Sequence, residues 1–447
     1  MQSGKSPVAL PSAPIDRLVR PFTRFIHVQA AGGIVLLLAT VIALAIANSP
    51  WSDAYFDFWH TKFWLQFGNL KMQHYLQHWI NDGLMVLFFF VVGLEVKREL
   101  VVGELREFRR AVLPIAAALG GMLAPAGIYL ALQYGEPGVD GWGIPMATDI
   151  AFVVGCMAVL GPKFPHGLRI MLLSLAIADD IGAIVVIAVG YTDQLNWLAL
   201  GAGCVGLAIV WSLARLGVRS FLVYAVLGLF VWLGFHESGV HATIAGVILG
   251  LMTPARNYVT PAALQNVFDQ TSEVLTMGDF DLHTHRVDPI RQLRRATRES
   301  VSPLEYLEHT LNPWVAFVIL PLFALANAGV RINPSDIASP IAVAVLLGLL
   351  VGKPLGIVLA SWIAVRSRVA DLPPGVTWTM LTGGGVLCGI GFTMALFIAS
   401  LALEGDALNE AKIGVLVGSV ASAVIGMGIL SVLMRRQNEV PVRAQAA

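Results

Sequence analysis

Charge is what this sequence has least of. Only 13% of its 447 residues are Asp, Glu, Lys or Arg, whereas a soluble domain carries about 25%, and the shortage excludes an ordinary water-facing globular protein. Cysteine is scarce as well: 3 thiols cannot staple a chain of this length as a disulfide scaffold would. There is no excess of either sign, because 29 basic residues balance 29 acidic ones, so bulk electrostatics points to no nucleic-acid partner. No cofactor or metal motif stands out. The pairs His74 with His78 and His283 with His285 have no Cys or carboxylate cluster to complete them. Gly348 to Gly352, ahead of Lys353, is one residue short of a P-loop, and Pro354 stands where a Mg2+-binding Ser or Thr belongs, which argues against an ATP-driven pump. An intramembrane aspartyl protease would need two Asp on facing helices, and no Gly-x-Gly-Asp is present, so the chain is not read as an enzyme.

Apolar residues fill the space that charge leaves. They make up 56% of the chain, before its 44 glycines are added, so a disordered chain is excluded too. A helix needs about 20 mostly apolar residues to cross a bilayer. Twelve such runs lie near 30–48, 77–96, 111–133, 143–161, 168–190, 196–214, 220–235, 239–252, 313–330, 341–364, 378–402 and 412–434. Barrel strands would alternate over about ten residues and give no continuous runs. The fold class is therefore an all-α polytopic membrane protein of about 12 transmembrane helices, with the lipid bilayer as its first partner.

Orientation follows from the basic residues. With the N-terminus inside, 24 of the 29 Lys and Arg fall in cytoplasmic segments, 4 fall outside (Lys62, Lys71, Arg331, Lys412), and Lys353 sits within a span. That asymmetry places both termini in the cytoplasm. Ala45 and Ala47 offer a small-x-small cleavage pattern, but the run before them is longer than the 7 to 15 residues typical of a signal-peptide core, so cleavage is not expected. The chain divides into a lead (1–29), eight spans (30–252) with an aromatic outer segment (51–76), a basic cytoplasmic connector (253–312), four spans (313–434) and a cytoplasmic tail (435–447), expected to be disordered from about Gln437. Gly68-Asn69 divides the outer segment as a hairpin turn would.

A charged residue at a helix centre costs about 2.5 to 3.5 kcal/mol on insertion scales, so those inside spans are the functional candidates. Asp179 and Asp180 lie side by side in the fifth span, projecting about 100° apart. Thr148-Asp149 follows Gly141, Gly143 and Pro145 in the fourth. Two uses of Asp149 stay open: an ion-facing charge in an interrupted helix, or a dipole partner in a first turn. The eleventh span is rich in glycine around Cys388 to Thr393, which serves either close packing or a second interruption. Lys353, in Gly352-Lys353-Pro354-Leu355-Gly356, must be paired or lose its proton. Glu95 and Glu99 share a face at the inner end of the second span, with Asp82 near its outer end, and His241 has the chemistry of a pH sensor. Carboxylates buried together hold either protons or a small hard cation, and mutual exclusion at one site is the minimum machinery of an antiporter. A cation-coupled symporter of an organic solute on a related scaffold is the alternative.

The motifs Phe88-Phe89-Phe90-Val91-Val92-Gly93-Leu94-Glu95-Val96-Lys97-Arg98-Glu99-Leu100, Ala147-Thr148-Asp149-Ile150-Ala151-Phe152, Ala176-Ile177-Ala178-Asp179-Asp180-Ile181-Gly182, Gly352-Lys353-Pro354-Leu355-Gly356 and Gly389-Ile390-Gly391-Phe392-Thr393-Met394 together closely resemble the NhaA sodium/proton antiporter family, in order, over nearly all of residues 15–436. The resemblance implies inverted repeats with crossed, interrupted fourth and eleventh helices; matching broken spans in two halves mark inverted-repeat transporters, this family among them, so the repeat is not an independent reading. It further implies exchange of Na+ or Li+ for protons, no cofactor, and a homodimer in the bacterial inner membrane. By position, Asp179 and Asp180 match the ion and proton carriers, Asp149 with Thr148 the helix crossing, and Lys353 the buried lysine. Glu95 and Glu99, grouped with His241, match a pH-sensing entrance, Asp82 an outer funnel, and the hairpin near Gly68-Asn69 the dimer contact. The long lead and the extended 253–312 connector depart from the family pattern and put any pH-sensing residues of that loop in doubt.

Overall fold

A computed structural model of the chain describes residues 31–67, 70–161, 164–192, 195–218, 220–276 and 283–444. Every one of the twelve apolar runs is helical over most of its length. In chain order the main elements are α1 (Ala31–Ala47), α2 (Ser52–Trp59), strands β1 (Lys62–Phe67) and β2 (Leu70–Tyr75), and α3 (Leu76–Val101). Next come α4 (Phe108–Leu132), a 3-10 helix (Val139–Met146) followed by α5 (Ile150–Leu160), α6 (His166–Gly190), α7 (Trp197–Arg215), α8 (Phe221–His236) and α9 (Thr243–Met252). The connector carries α10 (Pro261–Thr276) and α11 (His283–Glu299), and the last group is α12 (Pro303–Asn327), α13 (Pro340–Arg366), α14 (Trp378–Cys388), α15 (Phe392–Ala402) and α16 (Gly405–Ala444). Among the described residues, eight helices are long and apolar enough to cross a membrane, or ten if the bent pairs α1 with α2 (117°) and α14 with α15 (49°) each count as one span; α8 and α9 are shorter apolar helices.

Local chemistry sets several of the boundaries. Ser302 caps α12, its hydroxyl accepting from Glu305 N at 3.2 Å with Pro303 in the first turn, and Ser339 caps α13 in the same way through Ala342 N. The first of these caps corrects the connector: the ninth helix starts at Pro303, inside the stretch expected to be connector, because a Ser-Pro start is a stronger helix signal than the later onset of apolar residues. The expected tail from 435 also begins in helix, since α16 continues to Ala444. In the outer segment β1 and β2 pair antiparallel, Lys62 opposite Tyr75 through Phe67 opposite Leu70. The turn residues Gly68 and Asn69 lie outside the described residues.

Among the described residues three helices carry a π-helical turn: Ile80–Leu84 in α3, Val315–Ile319 in α12 and Gly348–Gly352 in α13. A π turn widens the helix by one residue and re-aims the side chains beyond it; the one in α13 ends immediately before Lys353. The α13 helix also lies against α4 closely enough that the backbones touch. A Cβ on Gly356 would collide with the Gly120 carbonyl, and one on Gly120 with the Gly356 carbonyl, the small-residue packing that membrane helices use in place of a hydrophobic drive. Phe397 of α15 then packs on Phe89 of α3 and Phe323 of α12, with ring centroids 5.5 and 6.2 Å apart. The glycine contact sets α13 directly on α4, and the ring contacts tie α15 to α3 and α12.

Replacing Gly356 by Leu must separate two backbones. Overpacking of this kind costs about 1–3 kcal/mol or more, so Gly356→Leu is expected to lower the unfolding midpoint followed by tryptophan fluorescence in detergent. A midpoint equal to that of the parent would show that the α4–α13 approach is not tight.

Candidate functional site

Two interruptions meet at the centre of the fold. Between the 3-10 helix and α5, Ala147 and Asp149 are extended (φ −80°, ψ 148° and φ −92°, ψ 100°), and α14 stops at Cys388 before α15 begins at Phe392. Across the gap the Asp149 amide donates to the Ile390 carbonyl at 2.7 Å, and the Thr148 hydroxyl donates to the Cys388 carbonyl at 3.0 Å. Glycine makes the approach possible: a Cβ on Gly391 would press to 3.0 Å from the Ala147 carbonyl. Both uses left open for the glycine run are therefore realised, close packing and interruption together.

A broken helix leaves backbone groups without partners, which hydrocarbon cannot supply. Asp149 answers at two helix starts. Its Oδ1 accepts from Phe152 N at 3.2 Å, capping α5, and its Oδ2 accepts from Thr393 N at 3.0 Å and Thr393 Oγ1 at 2.5 Å, capping α15. One carboxylate thus sits at two positive helix ends. At the negative end of the 3-10 helix the Met146 carbonyl accepts from Lys353 Nζ. The second partner of Lys353 is Asp179, at 2.8 Å from Nζ to Oδ2, with both side chains fully buried.

Asp179 and Asp180 are not equivalent. They are 1% and 3% exposed, and Oδ1 of each accepts no hydrogen bond among the described residues. Their 100° separation on α6 turns Asp179 to Lys353 and Asp180 to a cavity of about 1300 Å³ whose walls include Asp149, Thr148, Glu95 and Glu99. Asp149 lines the same cavity with both oxygens already engaged, so the spare acceptor capacity in this region belongs to the adjacent pair on α6.

Toward its open end the cavity is bordered by Arg98, Arg106, Arg110 and Arg169. Glu99 is tied in place there, its Oε1 accepting from Ser174 Oγ on α6 and from Glu104 N, both at 3.0 Å. Arg98 pairs with Glu308, and Glu308 and His309 both line the cavity. Neither was singled out from the sequence, because both fall in the stretch read as connector; the Ser302-Pro303 start was the signal that could have placed them on a helix.

His241 does not join Glu95 and Glu99. Its Nε2 lies 2.5 Å from the Tyr191 carbonyl, in a cluster where the Tyr191 hydroxyl donates to the Asp140 carbonyl and accepts from Gly143 N. The grouping of all three into one entrance is corrected accordingly: the loop ahead of α9 carries His241 to the start of that helix, while Glu95 and Glu99 sit at the end of α3. Asp82 is also apart from the cavity. Its Oδ2 is 3.0 Å from His78 Nε2 and 3.9 Å from His236 Nδ1, and the His74 ring stacks on His78 at 4.6 Å. Partial burial, and then the charges that His78 and His236 would carry, hold the His74 imidazole below its ordinary value. Among the described residues no group of three or more His, Cys, Asp or Glu is arranged to hold a metal ion.

Removing one partner of a buried ion pair leaves the other uncompensated, at about 3–5 kcal/mol. Lys353→Ala is expected to destabilise the folded protein by that order, and Asp179→Asn added to it to recover at least half, measured as a double-mutant cycle of unfolding midpoints. Strict additivity would mean that the two side chains do not interact.

The profile of the family described as Na+/H+ antiporter 1 matches residues 23–430. A protein of Rhodopirellula baltica called Na(+)/H(+) antiporter NhaA is 55% identical over 421 residues, covering 94% of this chain and 96% of that protein. A namesake from Rhizobium meliloti is 52% identical over 427 residues (95% and 97%), and Na(+)/H(+) antiporter NhaA 2 of Vibrio vulnificus is 47% identical over 430 residues (96% of each). With the profile spanning most of the chain and relatives similar over nearly their whole length, the chain belongs to the Na+/H+ antiporter 1 family.

Proposed function

We propose that the protein is a secondary active Na+ (Li+)/H+ antiporter in which protons and the cation compete for Asp179 and Asp180. One observation carries the reading. An unpartnered carboxylate facing a cavity stands beside a carboxylate already paired with a buried ammonium. Hard oxygen ligands suit a small alkali cation, and the ligands must be deprotonated to receive it, so binding releases protons. The cation enters through the cavity, meets Asp180, and draws Asp179 away from Lys353. When protons return, one to Asp180 and one to Lys353, which gives up its own as Asp179 leaves it, the Lys353–Asp179 ion pair re-forms. If the site opens to alternate sides only when occupied, proton flow in one direction drives cation flow in the other.

Asp149 and Thr148 hold the two breaks together, and Asp149 supplies standing negative charge at the cavity wall without leaving its helix caps. Glu95 and Glu99, now with Arg98 and Glu308, form the charged entrance, whose protonation sets when the transporter is active. More than one proton per cation makes the exchange electrogenic. The basic end of the cavity faces the cytoplasm, with both termini on that side of a bacterial inner membrane, and two copies associate through the outer hairpin. These placements rest on the Lys and Arg asymmetry of the sequence and on family resemblance.

Everted membrane vesicles test the reading. Na+ or Li+ added to vesicles acidified by respiration should dissipate the pH gradient, and the half-saturating Na+ concentration should rise by about tenfold per unit fall in pH for each competing proton. Asp179→Asn and Asp180→Asn should each abolish the response. Full activity in both variants, or dissipation by an organic solute and not by Na+ or Li+, overturns it.

A further inference from the structure

The last helix, α16, touches the broken centre of the fold, and none of its residues has a part in the transport scheme above. Its sequence explains how it comes so close. Gly414 and Gly418 are four apart, on one helical face, and both meet α13. A Cβ on Gly414 would lie 2.6 Å from the Ala342 carbonyl oxygen, and one on Gly418 would lie 3.1 Å from Leu349 Cδ1. Small residues at this spacing let membrane helices approach to backbone contact. Two turns on, α16 meets α14 in the same manner, a Cβ on Gly426 falling 2.8 Å from Leu387 Cδ2. Between these contacts lie two serines, Ser419 and Ser422, at the level of the gap that separates α14 from α15.

The gap leaves the first amides of α15 short of acceptors. Ala395 N donates to the Gly391 carbonyl at 2.9 Å, but the amides ahead of it have no acceptor four residues back within the helix. Two of them are met by side chains from different helices: Thr393 N by Asp149 Oδ2 at 3.0 Å, and Phe392 N by Ser419 Oγ at 3.2 Å. Phe392 and Ser419 are both buried, so bulk water does not stand in for the hydroxyl. The division of donors keeps Asp149 where it is, with Oδ1 on Phe152 N and Oδ2 on the two donors of Thr393. The rings of Phe392 and Phe152 also pack edge to face, with centroids 5.0 Å apart. The residue that Ser419 holds therefore braces the residue that Asp149 holds.

We propose that Ser419 is a positioning residue for the ion site: by accepting the first amide of α15 it keeps the Asp149 carboxylate on Thr393 and Phe152, and so keeps its negative charge at the cavity wall. The inference deepens the antiport reading and rests on it. Ser419 does not touch the ion; it acts through Phe392 and Asp149. Without it, a buried N–H beside Thr393 lacks an acceptor, and the carboxylate that serves the neighbouring amide is drawn toward it. A hydroxyl suits this place better than a second carboxylate. It satisfies the amide without adding a charge that competes with Asp149 for the helix end or for the cation. Ser422, one turn along, supplies the contrast. Its hydroxyl has no hydrogen-bond partner among the described residues and lies 2.7 Å from where a Cβ on Gly389 would be, so its loss frees no amide.

Two readouts test it, Na+-dependent dissipation of the pH gradient in everted vesicles and hydrogen exchange of the 389–395 segment in purified full-length protein. Ser419→Ala should raise the half-saturating Na+ concentration by about fivefold or more, the worth of a buried donor left unpaired. Most of the rate should return at saturating Na+, because Asp179 and Asp180 are untouched. The Phe392 amide should exchange faster in the same variant. Ser419→Cys, close in size but with sulfur as a weak acceptor, should show both changes without the void that truncation leaves. Ser419→Thr keeps the hydroxyl, and in it affinity and protection should be retained together. Ser422→Ala should change neither. The proposal is overturned by parental Na+ affinity in Ser419→Ala and Ser419→Cys, by affinity and Phe392 protection moving separately in any of the three Ser419 variants, or by Ser422→Ala raising the half-saturating concentration as Ser419→Ala does. Hydrogen exchange involves no transport, so a failed cap is told apart from a failed antiport reading, which shows as a parent protein with no Na+ response.

Discussion

A charge placed where water cannot follow must be matched, and the centre of this fold is arranged around that requirement. Broken helices make the problem worse, since each break strips backbone groups of their partners. Here the two difficulties answer each other. Asp149 meets the exposed amides of α5 and α15, Lys353 meets the exposed carbonyl of Met146, and Asp179 meets Lys353. What is left over is an oxygen on Asp179 and one on Asp180, the latter residue facing the cavity. Spare acceptor capacity at the end of an otherwise balanced network is what a cation or a proton can use.

The same network ties occupancy of the site to its architecture. Lys353 holds Asp179 with the same nitrogen that holds the Met146 carbonyl, so in the proposed cycle a cation that draws Asp179 away also changes what stabilises the break ahead of α5. From there the Asp149 amide reaches Ile390 and its carboxylate reaches Thr393, so the second break is coupled to the first. Lys353 itself is fixed by the π turn before it and by the contact of Gly356 with Gly120 three residues on. Charge balance, helix ends and backbone packing here form one mechanical unit.

Much of this was legible in the sequence, and the reasons differ by element. Asp149, Asp179, Asp180 and Lys353 stood out because a lone charge in an apolar run is costly wherever it points, so no knowledge of orientation was needed. The apolar runs became helices because hydrocarbon offers backbone N–H and C=O groups no partner outside the segment. What the sequence could not supply was direction. Only the structure separates Asp179, turned to Lys353, from Asp180, turned to the cavity, and only the structure sends His241 to Tyr191 and away from Glu95. The π turns were invisible because one extra residue leaves no mark on composition or hydropathy. Glu308 was hidden by its polar surroundings on the first turns of α12, although Ser302-Pro303 announced that helix plainly enough.

The most direct measurement of the central claim is proton release on cation binding to the purified protein. Calorimetric titration of Na+ or Li+ in buffers of differing ionisation enthalpy counts the protons expelled, with no membrane gradient and no turnover. Competition for Asp179 and Asp180 predicts that binding expels protons at pH values where the site is partly protonated, and that Asp180→Asn removes both the binding heat and the release. Cation binding whose heat does not depend on the buffer at any pH would contradict the account, because the two ions would then not share a site.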